Sequence, residues 1–141
     1  MPAFEIPGII RIHHVGIVVR DVEAAAAIYR RALGLDAVAL EEFRGLARVA
    51  FLRAGETLLE LIQPLTGDTP WAIALRDRGE GAHHFALEVA DLREAIRALA
   101  TSGTGCLDPH PSRAPGNTLS VFLDPSATGG ALIELVQQLQ V

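Results

Sequence analysis

The chain has 141 residues, of which 50% are hydrophobic and 21% charged, enough apolar material for one compact globular domain. Twelve Lys and Arg against seventeen Asp and Glu give a formal net charge of −5 with no basic run, which excludes nucleic acid and anionic membranes as expected partners. There is no signal-like start and no apolar run of about 18 residues. With a single cysteine, Cys106, read as an ordinary small residue, the chain is expected to be cytoplasmic and without an internal disulfide.

The first half of the chain is predicted to fold as a strand, a helix and three more strands. After a lead-in over residues 1–8, an apolar strand runs over 9–19, and Asp21 then caps a helix that Gly34 ends. That helix carries one apolar stripe, formed by Val22, Ala26, Tyr29 and Leu33. The three further strands are predicted over residues 37–42, 47–52 and 57–63.

The second half repeats this order after a connector over residues 65–81. Thr69-Pro70 predicts a short helix in the connector, because a capping residue precedes a proline at the first helical position. A strand is predicted over 83–89, and Asp91 then caps a helix that ends at Gly103. The remaining segments are a loop over 108–116, a strand over 118–123, a turn over 124–130 and a strand over 131–136.

Two motifs recur at nearly the same separation along the chain. The pairs His13-His14 and His83-His84 each head a short apolar run, and Glu60 and Glu134 each interrupt one. Such self-similarity indicates a duplicated unit. The predicted fold is therefore a single α+β domain over 1–141, built from two tandem βαβββ modules, 9–66 and 82–138. A helical connector over 67–81 joins the modules, whose sheets form a concave metal-binding face.

One histidine and one glutamate from each half would form a metal site. Imidazole nitrogen and carboxylate oxygen suit borderline divalent ions, and four such ligands leave positions for water or substrate, which indicates catalysis. A buried carboxylate without a partner costs several kcal/mol, and a bound cation offsets that cost. The alternative is that the glutamates face solvent on a half-exposed sheet. Strand alternation turns only one histidine of each pair to the site, and it does not indicate which one.

Several segments resemble the methylmalonyl-CoA epimerase family of the vicinal oxygen chelate superfamily, which also includes glyoxalase I, extradiol dioxygenases and bleomycin-resistance proteins. The matching segments lie at residues 14–19, 59–65, 81–89, 122–125 and 129–135. The resemblance implies a glyoxalase-like fold, a homodimer and four metal ligands, namely His14, Glu60, His84 and Glu134. It also implies that His13 and His83 pack or form hydrogen bonds beside the site.

The resemblance further implies the reaction, an epimerisation of (2R)- and (2S)-methylmalonyl-CoA. A divalent ion, Co²⁺ in the first place and Ni²⁺, Mn²⁺ or Zn²⁺ as alternatives, would chelate two substrate oxygens and stabilise an enolate. Epimerisation needs a base on each face of that enolate. Glu134 is the expected first base and Glu60 a candidate for the second.

The chain departs from the family pattern in two places. Glu60 stands where some epimerases have glutamine, and Arg48 aligns with a glutamate proposed as a proton-transfer base. Candidates for substrate contact are Gln63 on its strand, Arg113, and the turn Pro115-Gly116-Asn117 for the CoA tail.

Two other functions fit the same superfamily. A glyoxalase I-like lyase would apply the same metal chemistry to a glutathione hemithioacetal. A metal-free drug-binding protein would lack a complete four-ligand set. The long connector matches the epimerase pattern and favours the acyl-CoA substrate over glutathione.

Overall fold

The computed structural model describes residues 8–140, so residues 1–7 of the predicted lead-in lie outside it. The elements are β1 (Ile9–Val18), α1 (Val22–Leu33), β2 (Ala37–Phe43), β3 (Ala47–Ala54), β4 (Thr57–Pro64), α2 (Pro70–Arg78), β5 (Gly81–Val89), α3 (Leu92–Thr101), β6 (Ser112–Ala114), β7 (Thr118–Phe122), a short 3-10 helix (Pro125–Thr128) and β8 (Ile133–Gln138). Strand, helix and three strands thus occur twice, with α2 between them, as the repeat predicts. Across residues 8–140, no helix is long and apolar enough to cross a membrane.

Contacts divide the described chain into two compact units. One unit is His14–His84, and the other combines residues 8–13 with 85–140. The boundaries pass through β1, between His13 and His14, and through β5, after His84. The modules predicted over 9–66 and 82–138 follow the sequence repeat, whereas these two units follow spatial contacts. β1 and β5 each contribute residues to both units.

In the unit His14–His84, the strands are hydrogen-bonded in the order β2-β3-β4-β1. β1 runs parallel to β4, and the other neighbours are antiparallel. Asp21 caps α1 by accepting hydrogen bonds from the amides of Glu23 and Ala24, and Gly34 ends it in the left-handed conformation at φ 69°. The core between α1 and the sheet consists of Val19, Val22, Ala25, Ala50, Leu52 and Leu61. A second cluster, Ala47, Val49, Phe51 and Ile62, packs separately with Leu58 and Trp71.

In the other unit, the strands are hydrogen-bonded in the order β5-β8-β7-β6, with β5 parallel to β8. The core is formed with α3 and consists of Val89, Leu92, Ala95, Leu99, Val121, Leu123 and Leu135. The prediction of an unbroken loop over 108–116 is wrong, because β6 lies within it and pairs with β7. The composition of this stretch is typical of a loop, and a strand of three residues leaves almost no periodic pattern to detect.

A glutamine holds the start of each large helix. Gln63 Oε1 accepts a hydrogen bond of 2.9 Å from the Val22 amide, and Gln137 Oε1 accepts one of 2.8 Å from the Leu92 amide. These amides belong to the first residues of α1 and α3, whose N–H groups have no partner inside the helix. The carboxamide oxygen of Gln63 thereby stabilises the start of α1, and the substrate contact considered from the sequence stays a prediction.

We expect Gln63→Leu and Gln137→Leu each to lower the free energy of unfolding by about 1 kcal/mol, because each leaves a half-buried helix amide unsatisfied. Denaturant titration with the two-state slope held constant measures this loss. Gln140→Leu is the matched control, since Gln140 is exposed beyond the end of β8. A loss in the control as large as in the two variants would contradict the assigned role.

Candidate metal centre

Strand register places His14 and Glu60 on one face of the unit His14–His84. Glu60 pairs with Gly16 on β1 and with Phe51 on β3, and paired residues in neighbouring strands point to the same face. His14 pairs with Leu58, two residues before Glu60 on β4, and therefore shares that face. We call the face that carries His14, Gly16, Phe51 and Glu60 the site face. It lies opposite the face that packs on α1.

Three of the four predicted ligands meet at the site face. The Nδ1 atom of His14 lies 3.0 Å from Oε2 of Glu60, and its Nε2 atom lies 3.1 Å from Nε2 of His84. Their side chains are almost completely withdrawn from solvent, with relative exposures of 3% for His14, 2% for Glu60 and 7% for His84. The structure therefore contradicts the alternative that Glu60 faces solvent.

Gly16 makes room for the ring of His84. A β-carbon built at Gly16 would lie 2.2 Å from Cε1 of His84, far inside van der Waals contact. Sequence reasoning gave Gly16 no role, although a glycine inside a buried strand signals the close approach of another group. The absence of a side chain at Gly16 therefore leaves the space that the ring of His84 needs to approach His14.

Glu134 occupies the equivalent place in the other unit. It pairs with Ala86 across the parallel strands β8 and β5, as Glu60 pairs with Gly16 across β4 and β1. Ala86 follows His84 by two residues, and Gly16 follows His14 by two. Glu134 is also buried, at 4% exposure. That Glu134 completes a four-residue set with the three residues above stays a prediction, and the repeated register supports it.

His13 makes its own contact within its unit. It is 2% exposed, and its Nε2 atom lies 2.9 Å from Oε1 of Gln138. The amide nitrogen of Gln138 donates to the carbonyls of Gly116 and Asn117, so its oxygen faces the histidine and His13 Nε2 carries a hydrogen. That nitrogen cannot bind a metal while it donates, so a ligand role for His13 would fall to its Nδ1 atom.

Gln138, the partner of His13, shares a face of β8 with Glu134, four residues earlier. His13 and His14 are consecutive buried residues of β1, so burial does not show which of them is the ligand. The choice of His14 within this pair stays a prediction.

Arg48 faces α1. Its guanidinium forms an ion pair with Glu23 of that helix, and its cross-strand partner is Gln63, which also bonds to α1. The neighbours of Arg48 on β3, Ala47 and Val49, belong to the cluster on the site face and cannot titrate. The strand that supplies a base in some epimerases therefore supplies none here among its described residues.

Two other residues singled out from the sequence lie in the other unit. Arg113 donates a hydrogen bond of 2.8 Å to Oδ1 of Asn117, which supports the turn after β6. Cys106 is half-buried, and burial raises the pKa of its thiol, so the reactive thiolate is disfavoured. This agrees with the interpretation of Cys106 as an ordinary small residue.

The donor set fits a first-row divalent ion. Two imidazole nitrogens 3.1 Å apart have the separation expected of neighbouring ligands on one ion whose bonds are about 2.0–2.1 Å long. Glu60 supplies a carboxylate, which such ions also accept. Its Oε2 atom lies 3.0 Å from Nδ1 of His14, so the carboxylate must turn towards Nε2 to bind an ion held by the two Nε2 atoms.

Comparisons with known proteins agree with this description. A family model described as the glyoxalase/bleomycin resistance protein/dioxygenase superfamily matches residues 13–122. Uncharacterized protein YqjC of Bacillus subtilis is 35% identical over 90% of this chain and 91% of its own length. The mitochondrial methylmalonyl-CoA epimerase of Homo sapiens is 36% identical over 90% of this chain and 73% of its own. A variant of Streptomyces coelicolor methylmalonyl-CoA epimerase, in complex with 2-nitronate-propionyl-CoA, has a TM-score of 0.87 and 29% identity, covering 94% of this chain and 97% of that one.

Proposed function

Because this chain belongs to the methylmalonyl-CoA epimerase family of the glyoxalase/bleomycin resistance protein/dioxygenase superfamily, we propose that it interconverts (2R)- and (2S)-methylmalonyl-CoA with a divalent metal ion. The observation that carries the proposal is the approach of His14 Nε2 to His84 Nε2 at 3.1 Å in a buried site. Two imidazole lone pairs at that distance repel each other unless a proton or a cation lies between them.

The neighbours of the two histidines favour a cation. Oε2 of Glu60 lies 3.0 Å from Nδ1 of His14, and a carboxylate at that distance favours a hydrogen on Nδ1 and a lone pair on Nε2. On the other side, Nδ1 of His84 lies 2.8 Å from Nδ1 of His83. A hydrogen on His84 Nδ1, accepted by His83, leaves the lone pair of His84 on Nε2 as well. Partners of this kind fix the tautomer and the orientation of metal-binding histidines.

His14, Glu60, His84 and Glu134 would hold the ion. Co²⁺ is the expected metal, with Ni²⁺, Mn²⁺ or Zn²⁺ as alternatives, because these ions accept mixed nitrogen and oxygen ligands. When bound, it supplies Lewis acidity to the two carbonyl oxygens that flank C2 of the substrate. Burial of the ligands excludes water and strengthens the electrostatic stabilisation of the developing enolate.

Glu134 takes the proton from C2 in this proposal. Its carboxylate is buried, and Glu60, the equivalent residue of the other half, lies beside His14. Return of a proton to the opposite face of the enolate requires a second group. Glu60 is the candidate, since the residues that β3 directs to the site face include no carboxylate; they are Ala47, Val49, Phe51 and Arg53.

The test follows the C2 proton. In deuterated buffer the wild-type protein should place deuterium at C2 of methylmalonyl-CoA and interconvert the two epimers. A chelator should stop both processes and added Co²⁺ should restore them, with ¹H NMR and chiral product analysis as the measurements. If the metal-loaded protein neither exchanges nor epimerises this thioester, the proposal is wrong.

A glyoxalase I-like lyase is the second candidate. It is favoured by Glu60, which stands where some epimerases have glutamine and where glyoxalase I has glutamate. Conversion of a glutathione hemithioacetal by protein that leaves methylmalonyl-CoA unchanged would select this alternative. Binding of a drug without turnover of either thioester would select the metal-free binding protein.

A further inference from the structure

We propose that Arg53, near the end of β3, binds an anionic group of the acyl-CoA substrate. The inference rests on the proposed function and deepens it, because no substrate-binding residue has been placed so far. The anion is either the free carboxylate of the methylmalonyl group or a phosphate of CoA. Both present the oxygen pairs that an arginine fork recognises.

Register puts Arg53 on the site face. Arg53 pairs with Leu58 across β3 and β4, and Leu58 pairs with His14 across β4 and β1. These residues therefore form one row whose side chains point to the same side of the sheet. The preceding row confirms the alternation, because Leu52 and Leu59 pair with each other and pack in the core against α1.

The row also sets the distance between Arg53 and His14. Neighbouring strands are about 4.8 Å apart, so the Cα atoms of Arg53 and His14, separated by two strand spacings, lie about 10 Å apart. The long arginine side chain spans much of that distance. A substrate whose C2 atom is held beside His14 thus brings its carboxylate or a phosphate of its CoA portion to the guanidinium of Arg53.

Charge supports the assignment. Among the strand residues that face this side within His14–His84, Arg53 is the only cation, beside the acids Glu41 and Glu60. It is exposed, and the described residues contain no ion pair or hydrogen bond of its side chain. Arg48, on the same strand, is instead held by Glu23 on the opposite face. The substrate is a multiply charged anion and the protein carries a formal charge of −5, so a cation facing the site opposes their repulsion.

The experiment compares Arg53→Gln with Arg48→Gln, which removes the same charge from the other face of β3. For methylmalonyl-CoA, Arg53→Gln should raise KM about tenfold, the lower end for a lost charged hydrogen bond, with kcat and metal content unchanged. Isothermal titration should show the same rise in Kd, a readout that needs no turnover. Arg48→Gln should leave KM and Kd within about twofold of wild type, as expected for a partly exposed ion pair.

A methylmalonyl thioester of pantetheine, which has no phosphate, separates the two anions. Weakened binding of both thioesters to Arg53→Gln identifies the carboxylate, and weakened binding of the CoA thioester alone identifies a phosphate. Unchanged KM and Kd for methylmalonyl-CoA in Arg53→Gln, or an equal change in Arg48→Gln, would overturn the inference. Epimerisation by the wild-type protein would still support the proposed function in that case.

Discussion

His84→Ala should lose nearly all of its bound divalent metal, with an affinity at least about 100-fold below that of the wild-type protein. Even residues that only support a metal ligand cost about 10- to 100-fold when they are replaced, and His84 is proposed as a ligand itself. Its Nε2 atom lies 3.1 Å from that of His14, so its removal leaves an incomplete donor set and a cavity in its place. Metal analysis of purified protein and competition with a chromophoric chelator measure the loss. Glu60→Ala should behave in the same way.

His13→Ala is the matched control for this prediction. It removes an equally buried imidazole one residue from His14, but one whose Nε2 atom is committed to Gln138. We expect it to lower stability while most of the metal is retained. Equal metal loss in His13→Ala and His84→Ala would mean that the choice of ligands within the histidine pairs is wrong.

Replacing Glu134 should abolish exchange of the C2 proton. General base catalysis contributes about 10²- to 10⁴-fold to a rate, so Glu134→Gln is expected to exchange deuterium at least about 100-fold more slowly than wild type. Glutamine keeps an oxygen that can bind a metal but cannot take a proton at neutral pH. Glu134→Ala removes both functions and should be slower still unless metal is restored.

The measurement is deuterium uptake by methylmalonyl-CoA with the metal content of each variant matched. Glu94→Gln is the control, because Glu94 lies on α3 in an exposed ion pair with Arg97. Its exchange rate should equal that of wild type. Rapid exchange by metal-loaded Glu134→Gln would assign the proton transfer to another residue, with Glu60 the first to examine.

Local signals in the sequence predicted the elements well. Asp21, Thr69 and Asp91 cap the helices as expected, because a capping side chain bonds to amides two or three residues ahead and leaves a short-range pattern. The repeated motifs pointed to both histidine pairs and to Glu60 and Glu134, and the resemblance to the epimerase family selected His14 and His84. The structure brings His14, Glu60 and His84 together.

The roles that sequence reasoning missed depend on distant partners. Gln63 meets α1 across 41 positions, Gln137 meets α3 across 45, and His13 meets Gln138 across 125. No periodicity encodes such contacts, because the register of the sheet decides them. For the same reason, the direction of Arg48 became clear only from its partners on β4 and α1.

The contact between His14 and His84 joins residues 70 positions apart, and this has a thermodynamic consequence. An unfolded chain holds these imidazoles far from each other and offers no chelate, so an ion of the proposed kind binds the native state alone. By linkage, an ion present at 100 times its dissociation constant adds about 2.7 kcal/mol to the free energy of unfolding. Metal supply would then raise the free energy of unfolding of the native state, in addition to supporting the proposed reaction.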